Sequence, residues 1–149
     1  MALTQDKSRN SRPRGRNAYV VNDTVQIYTG ALVGIDTDTG YLELWADNAD
    51  YLFKGVAERN VLGDLVVATV PPEAEVNEQG LILVNVSVTG VTAIANVGDD
   101  VYATDDDTLT LTPTSNTKPV GHIVRWNSTT FCDVELVTPG EYIGWGYYT

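Results

Sequence analysis

The sequence predicts an all-β fold, a small β-barrel or β-sandwich with little helix. Thr, Val and Tyr are abundant, and they favour strands. Apolar and polar residues alternate with a period of two in several segments, while no segment keeps an apolar stripe at helical spacing. A chain of 149 residues buries enough surface for a core without disulfides, and its one cysteine, Cys132, lies on the apolar side of an alternating segment.

In the first half of the chain, turn residues separate short runs of strand-forming residues. The predicted strands are 18–28, 31–36, 41–45, 51–59 and 65–70. Residues 36–40 are predicted as a hairpin turn and not a calcium loop, because Gly40 falls one place early and no Glu stands at the twelfth position. Pro71 and Pro72 end the last strand, since proline cannot continue a central ladder. Residues 73–79 are predicted as a short acidic loop, with one helical turn as the alternative.

In the second half, residues 81–89 form the strongest predicted strand, which we place centrally in the sheet. We expect its two faces to be 82, 84, 86 and 88 on one side and 83, 85 and 87 on the other. Two further short strands flank an acidic turn at Asp105, Asp106 and Asp107, whose side chains can cap their own backbone. Residues 120–126 and 131–137 are predicted to pair as a hairpin, with Cys132 buried.

A weak internal echo links the two halves. Gly55 and Gly121 lie 66 positions apart, and so do Arg59 and Arg125, within similar apolar surroundings. A pseudo-duplicated barrel or sandwich would produce such an echo.

Charge is distributed very unevenly along the chain. The net charge is −11, yet residues 1–16 carry +4 and the remaining residues −15. Residues 1–17 contain almost no apolar side chains, so we expect a flexible basic arm ahead of a single β domain at 18–149. Such an acidic domain repels nucleic acid, which binds through Lys and Arg. A solvated tail without a role, and a localisation or RNA-binding signal, remain as alternatives for the arm.

Two sets of residues are candidates for binding another molecule. In the arm, the hypothesis is that an acidic partner surface is bound by Lys7, Arg9, Arg12, Arg14 and Arg16. The C-terminal tail concentrates aromatic side chains among glycines. It either packs on the domain or forms a contact surface made of Tyr142, Trp145, Tyr147 and Tyr148.

Few residues are available for catalysis or metal binding. His122 is the only histidine, and a structural or surface role is favoured over a catalytic one. The turn at 105–107 could hold a hard cation together with Asp99 or Asp100, but a solvated turn is favoured. We therefore expect no enzyme activity, no cofactor and no metal. The sequence shows no signal peptide and no membrane span, so we expect synthesis in a cytoplasm.

Five short motifs resemble the head-decoration, or capsid cement, proteins of tailed bacteriophages. They are GALVGID at 30–36, GVA at 55–57, VGDDVY at 97–102, VGHIV at 120–124 and CDVEL at 132–136. The resemblance implies a small barrel or tulip-like domain, a homotrimer, and a place on the outer surface of the virion, where the protein clamps neighbouring major capsid subunits. It also implies an extended N-terminal segment that reaches onto the shell.

Two other functions remain open. One is a carbohydrate- or receptor-binding β-sandwich of a phage tail fibre, which would use Trp45, Trp126 or Trp145 as a stacking platform. The other, ranked well behind, is a small hydrolase that depends on His122.

Overall fold

The fold is built almost entirely from β-strands. A computed structural model describes residues 16–66, 69–78, 81–113 and 115–137. The strands are β1 (Arg16–Val20), β2 (Gln26–Ile27), β3 (Leu32–Asp36), β4 (Leu42–Leu44), β5 (Tyr51–Ala57), β6 (Val61–Leu62), β7 (Glu73–Asn77), β8 (Ile82–Thr89), β9 (Asp100–Ala103), β10 (Leu109–Thr110), β11 (Gly121–Ser128) and β12 (Phe131–Leu136). The only helix in these ranges is a 3-10 turn at Ile94–Asn96. The all-β prediction is confirmed.

The strands form two main sheets with the same order. The first has the order β1-β7-β5-β3-β4. The second is a closed barrel of order β10-β8-β12-β11-β9, in which β10 also pairs with β9. Reading around this ring from β8 gives β8-β12-β11-β9-β10. Each strand of the first sheet therefore corresponds to one of the second: β1 to β8, β7 to β12, β5 to β11, β3 to β9 and β4 to β10. A separate pair, β2 and β6, belongs to the first half.

The residue register of the two sheets also corresponds. Val33 pairs with Gly55 in the first sheet, as Val101 pairs with Gly121 in the second. The barrel closes where β8 runs parallel to β10, with Leu109 opposite Val88. In the first half an isolated parallel bridge joins Val21 to Leu42 at the matching place. The echo in the sequence thus reflects a repeated arrangement of five strands.

Two apolar clusters fill the interior. The smaller one lies within the first half and includes Val21, Val33 and Leu42. The larger one fills the barrel and also takes in Leu32, Trp45 and Phe53 from the first half. The Trp45 indole N–H donates a hydrogen bond to the Ala103 carbonyl at 2.8 Å. Trp45 therefore inserts from the first half into the core of the second.

Two predictions about the first half are wrong. The segment predicted as an acidic loop is strand β7, which pairs with both β1 and β5. Its small residues Ala74 and Val76 are fully buried, which provides the reason for a strand. The predicted strand at 65–70 is not formed among the residues described there, and Val66 and Val70 are each 80% exposed.

Strand β8, predicted at the centre of the sheet, pairs with β12 along most of its length but with β10 only at Val88 and Thr89, and its faces also differ from the prediction. Asn85 has a φ of 54° and sits at a bulge, where its backbone N–H donates to the Asp133 carboxylate at 2.8 Å. A bulge inserts one extra residue and so exchanges the faces of a strand. As a result Leu83 packs against the barrel core, whereas Val84 is 72% exposed.

Both predicted hairpins are confirmed. The turn between β3 and β4 is closed by the Gly40 N–H, which donates to the Asp36 carbonyl at 2.7 Å. Strands β11 and β12 pair as expected, and Cys132 and Val134 are fully buried. Within the described ranges, no helix has the length and apolar character that crossing a membrane requires.

Candidate functional site: the start of the first strand and a groove between the two halves

The structure describes one of the nine candidate binding residues. Arg16 is the first residue of β1, so this strand begins inside the segment predicted as an arm. The other candidates lie outside the described residues. They are Lys7, Arg9, Arg12 and Arg14 at one end of the chain and Tyr142, Trp145, Tyr147 and Tyr148 at the other.

Arg16 is held by Asn77 of β7 and by Glu58, which directly follows β5. Its guanidinium Nη2 lies 2.9 Å from Glu58 Oε1, and its Nε donates to Asn77 Oδ1 at 3.3 Å. Asn77 in turn donates from Nδ2 to the same Glu58 carboxylate. Hydrogen bonds to a charged partner are the stronger kind, so this cluster holds Arg16 firmly at the start of β1.

A second cluster surrounds the carboxylate of Glu78, whose side chain is 12% exposed. Asn17 Nδ2 donates to Glu78 Oε2 at 2.7 Å, and the Tyr19 hydroxyl donates to Oε1. The Lys54 ammonium lies 4.0 Å from Glu78 Oε1 and 5.4 Å from the centre of the Tyr19 ring. Polar side-chain contacts from Arg16, Asn17 and Tyr19 therefore hold the first strand to its neighbours.

The glutamates closest to the root of the arm have partners within the domain. Glu58 contacts Arg16, Glu78 contacts Lys54, and Glu75 lies 3.6 Å from the Nε of Arg59. Each of these three carboxylates therefore has a cationic side chain beside it. The four cationic side chains upstream of Arg16 are therefore not needed to balance these three carboxylates.

A groove lies between the two halves of the molecule, with a volume of about 340 Å³. Its walls are formed by apolar side chains and by two carboxylates, namely Leu32, Leu83, Val86, Leu109, Asp106 and Asp107. A second hollow of about 280 Å³ shares both carboxylates and is bounded by Tyr28, which is 59% exposed. The acidic turn thus forms one side of an open, partly apolar depression.

The acidic turn is shaped by hydrogen bonds to Asp105. The Asp105 carboxylate accepts bonds from the backbone N–H groups of Asp107 and Thr108, each at 2.8 Å, and from the Thr108 hydroxyl at 2.9 Å. The bond from Asp107 does most to lower the pKa of Asp105. Within the described part of the chain, no three His, Cys, Asp or Glu side chains are arranged to hold a metal ion.

His122 stands in a row with two acidic residues on adjacent strands. It pairs with Asp100 of β9 and with Glu135 of β12, and its Nε2 lies 3.5 Å from Glu135 Oε2. Burial raises the pKa of Asp100, while the nearby His122 opposes that rise. Burial also raises the pKa of the Cys132 thiol, which makes that thiol a poor nucleophile. Asp100, His122 and Glu135 therefore form a row of titratable side chains across β9, β11 and β12.

The tryptophans proposed as stacking platforms occupy different positions. Trp45 is 2% exposed and meets the Phe53 ring edge-on, with the ring centres 5.5 Å apart, so it is part of the core. Trp126 packs against the barrel core, and its buried Nε1 has no hydrogen-bond partner among the described residues. Trp145 lies outside the described residues.

Sequence reasoning missed the acidic residues that hold the root of the arm. Glu58 and Glu78 receive their partners from β1, which pairs with β7, and β7 was predicted as a loop. The alternation of Ala74 and Val76 with outward polar residues was a signal for this strand. It was weak because alanine contributes little to an apolar pattern.

Comparison with known proteins finds no matching family model, no similar curated protein and no similar solved structure.

Proposed function

We propose that this chain is a virion structural protein that decorates the outer surface of a tailed-phage capsid. In this proposal it binds neighbouring major capsid subunits and stabilises the shell. The observation that supports it best is the separation of charge, with +4 on residues 1–16 and −15 on the rest. The choice of a capsid as partner rests on the five motifs that resemble the cement proteins.

The contacts of β1 make the arm suitable for such a role. Arg16 is fixed by Glu58 and Asn77, so the arm starts from a defined point on the domain. The upstream cations can then bind acidic patches on a shell. Each exposed ion pair contributes only about 0.2–1 kcal/mol, so several must act together. Such contacts are screened beyond about 8 Å at physiological salt, which requires direct contact.

A homotrimer would strengthen this attachment. Three arms on one particle make the second and third binding events intramolecular, and this raises the overall affinity without new kinds of contact. The acidic domain would meanwhile remain apart from the packaged genome and from anionic lipid, since both repel negative charge. The proposal therefore includes neither a nucleic acid nor a membrane partner, and it involves no catalysis.

The test removes the upstream charges and leaves the folded domain intact. In this variant Lys7, Arg9, Arg12 and Arg14 are replaced by Ala, while Arg16 is kept because it belongs to the sheet. Losing four pairs at about 0.5 kcal/mol each should weaken binding to expanded, undecorated heads of the cognate phage roughly 30-fold. Co-sedimentation at increasing protein concentration measures the bound copies per head.

A matched pair of double variants separates the effect of the arm's cations on binding from the effect of the overall net charge. The double variant Arg12→Ala/Arg14→Ala should weaken binding, whereas Arg59→Ala/Arg125→Ala, which removes the same charge from the domain, should not. Unchanged occupancy of the four-residue variant would contradict the proposed role of the arm. Absence of binding by the unmodified protein would contradict the capsid function itself.

A further inference from the structure

One edge of β8 has no neighbouring strand over most of its length. On one side β8 pairs with β12 from Ile82 to Ser87, apart from the bulge. On the other side it pairs with β10 only at Val88 and Thr89. From Ile82 to Ser87 the second edge therefore lacks a strand among the described residues. Such an edge offers backbone groups to which a further strand can pair.

The groove described above runs along this free edge. Leu83 and Val86 of β8 form one apolar wall, and Leu32 and Leu109, each at most 5% exposed, form the floor. The carboxylates of Asp106 and Asp107 lie on the opposite side. The groove therefore suits an extended segment with large apolar side chains that also carry hydrogen-bond donors.

The C-terminal tail begins close to this edge. Glu135 pairs with Ile82, and the Leu136 N–H donates to the Leu81 carbonyl at 3.0 Å, so β12 ends beside the start of β8. The chain is still anchored at Val137, whose N–H donates to the Val120 carbonyl. Two strand spacings, about 10 Å, separate this point from the free edge. The remaining twelve residues span up to about 40 Å when extended.

The tail also has the chemistry that the groove requires. Ile143, Trp145 and Tyr147 alternate with Gly144 and Gly146, so an extended backbone places the three large side chains on one face. Tyrosine hydroxyls and the indole N–H are donors with apolar rings. Carboxylates such as Asp106 and Asp107 accept hydrogen bonds and donate none when ionised.

We propose that the C-terminal tail of the same chain lies in this groove as an additional strand beside β8. Trp145 and its neighbours on the same face cover the apolar floor, and the tail pairs with the edge of β8 that β10 leaves unpaired. The aromatic residues considered above as an external contact surface then have a role inside the molecule. The basic arm fits the groove less well, because it offers almost no apolar side chains. This inference does not depend on the proposed capsid function.

Cross-linking in the full chain tests the position of the tail. Ser87 lines the groove, and in the test variant Ser87→Cys is combined with Gly146→Cys. The matched control combines Gly146→Cys with Thr39→Cys, at an exposed turn of the first half. The native thiol is buried and does not compete. With a short bis-maleimide we expect cross-links within one chain at least tenfold faster for the Ser87 pair than for the control, independent of protein concentration.

Two cross-linking results would overturn the proposal. Equal rates for the two pairs would show that the tail does not occupy the groove. Covalent dimers whose yield rises with protein concentration would show that the tail of another copy occupies it.

A second measurement uses the chain truncated after Val137 and two synthetic peptides, residues 138–149 and residues 1–15. Calorimetry should show that the truncated protein binds the tail peptide with one site, while the full chain does not. The Trp145→Ala peptide should bind at least tenfold more weakly. Binding of the arm peptide at the same site in competition with the tail peptide, or no binding of the tail peptide to the folded truncated protein, would overturn the proposal.

Discussion

The two halves of the described chain share one strand order but differ in how fully the ring of strands closes. In the second half Val88 and Thr89 pair with Leu109 and Thr110, and the barrel is closed. In the first half a single bridge at Val21 takes that place. The interiors differ in the same sense, with thirteen buried residues in the larger cluster and seven in the smaller. The half with the larger apolar core is thus the half whose barrel is closed.

The larger core reaches this size by taking side chains from the other half. Adjacent residues of β3 illustrate how, since Leu32 belongs to the barrel cluster and Val33 to the cluster of the first half. The backbone adds a further link, because the Leu32 N–H donates to the Asp106 carbonyl at 2.8 Å. The first half thus supplies one wall of the second half's interior, and we expect the two to unfold together.

The largest effect on this arrangement is expected from Trp45→Ala. The change removes a 2% exposed indole from the contact between the halves, together with its bond to the Ala103 carbonyl. Truncating a buried aromatic side chain costs about 3–5 kcal/mol of the free energy of unfolding. Urea denaturation followed by circular dichroism measures the loss. Trp45→Phe keeps a ring but not the hydrogen bond and should cost less than the alanine variant, and a loss under 1 kcal/mol for Trp45→Ala would contradict the shared core.

Gly55 and Gly121 test the correspondence between the halves directly. A Cβ at Gly55 would lie 1.8 Å from the Asn77 carbonyl oxygen, and one at Gly121 would lie 2.3 Å from that of Glu135. Either alanine variant should lose at least about 2 kcal/mol. Gly55→Ala should lose more, because its φ of 133° is also unfavourable for alanine.

Gly40→Ala provides the control for the two glycine variants. Its φ is 77° and no atom lies within 4 Å of the added Cβ, so it isolates the backbone cost of about 1–2 kcal/mol. Thermal unfolding of the three variants ranks them. A loss at Gly121 no larger than at Gly40 would indicate that the close approach of strands in the barrel relaxes easily.

The smallest expected effect on stability comes from neutralising Asp133 or Glu75, which occupy corresponding positions in the two halves. Asp133 pairs with Arg125 in the barrel, as Glu75 lies beside Arg59 in the first half. Only Asp133 also accepts a hydrogen bond from the Asn85 backbone at the bulge, and this bond is the main cause of its lowered pKa. Asp133→Asn should therefore reduce stability at pH 7, while Glu75→Gln should change it by less than about 0.5 kcal/mol.

The sign of the pH dependence follows from the direction of the shift. A carboxyl whose folded pKa lies below its ordinary value of 3.8 stabilises the fold fully above that pH. The contribution disappears as the pH falls through the folded pKa. The difference in melting temperature between the native chain and Asp133→Asn should thus narrow below about pH 4. A difference that stays constant from pH 7 to pH 3 would exclude ionisation as the cause.

The alternation of apolar and polar residues along the chain predicted much of the fold. The β11–β12 hairpin followed from Cys132, Val134 and Leu136, all of which are buried. The patterns failed in two places. At β7 the inward residues include Ala74, too small to stand out among glutamates, and at β8 the bulge at Asn85 exchanges the two faces. A bulge depends on partners such as Asp133, 48 residues away, which a local pattern does not contain.

The candidate site could be predicted only in part. The charge difference between the arm and the domain is a property of composition, and the sequence contains it completely. The contacts of Glu58 with Arg16 and of Glu78 with Asn17 depend on the pairing of β1 with β7. The groove depends on the meeting of Leu32 with Leu83, from different halves. Contacts between strands distant in sequence were therefore beyond prediction.

The single sulfhydryl of the molecule has a practical consequence. Cys132 is fully buried in β12, between β8 and β11. A dissolved alkylating reagent reaches this sulfur only while the surrounding strands are apart, and burial further suppresses the thiolate that reacts. The slow incorporation of label under native conditions therefore records how often the barrel opens. Since the sequence contains no other cysteine, every labelled molecule reports the same event.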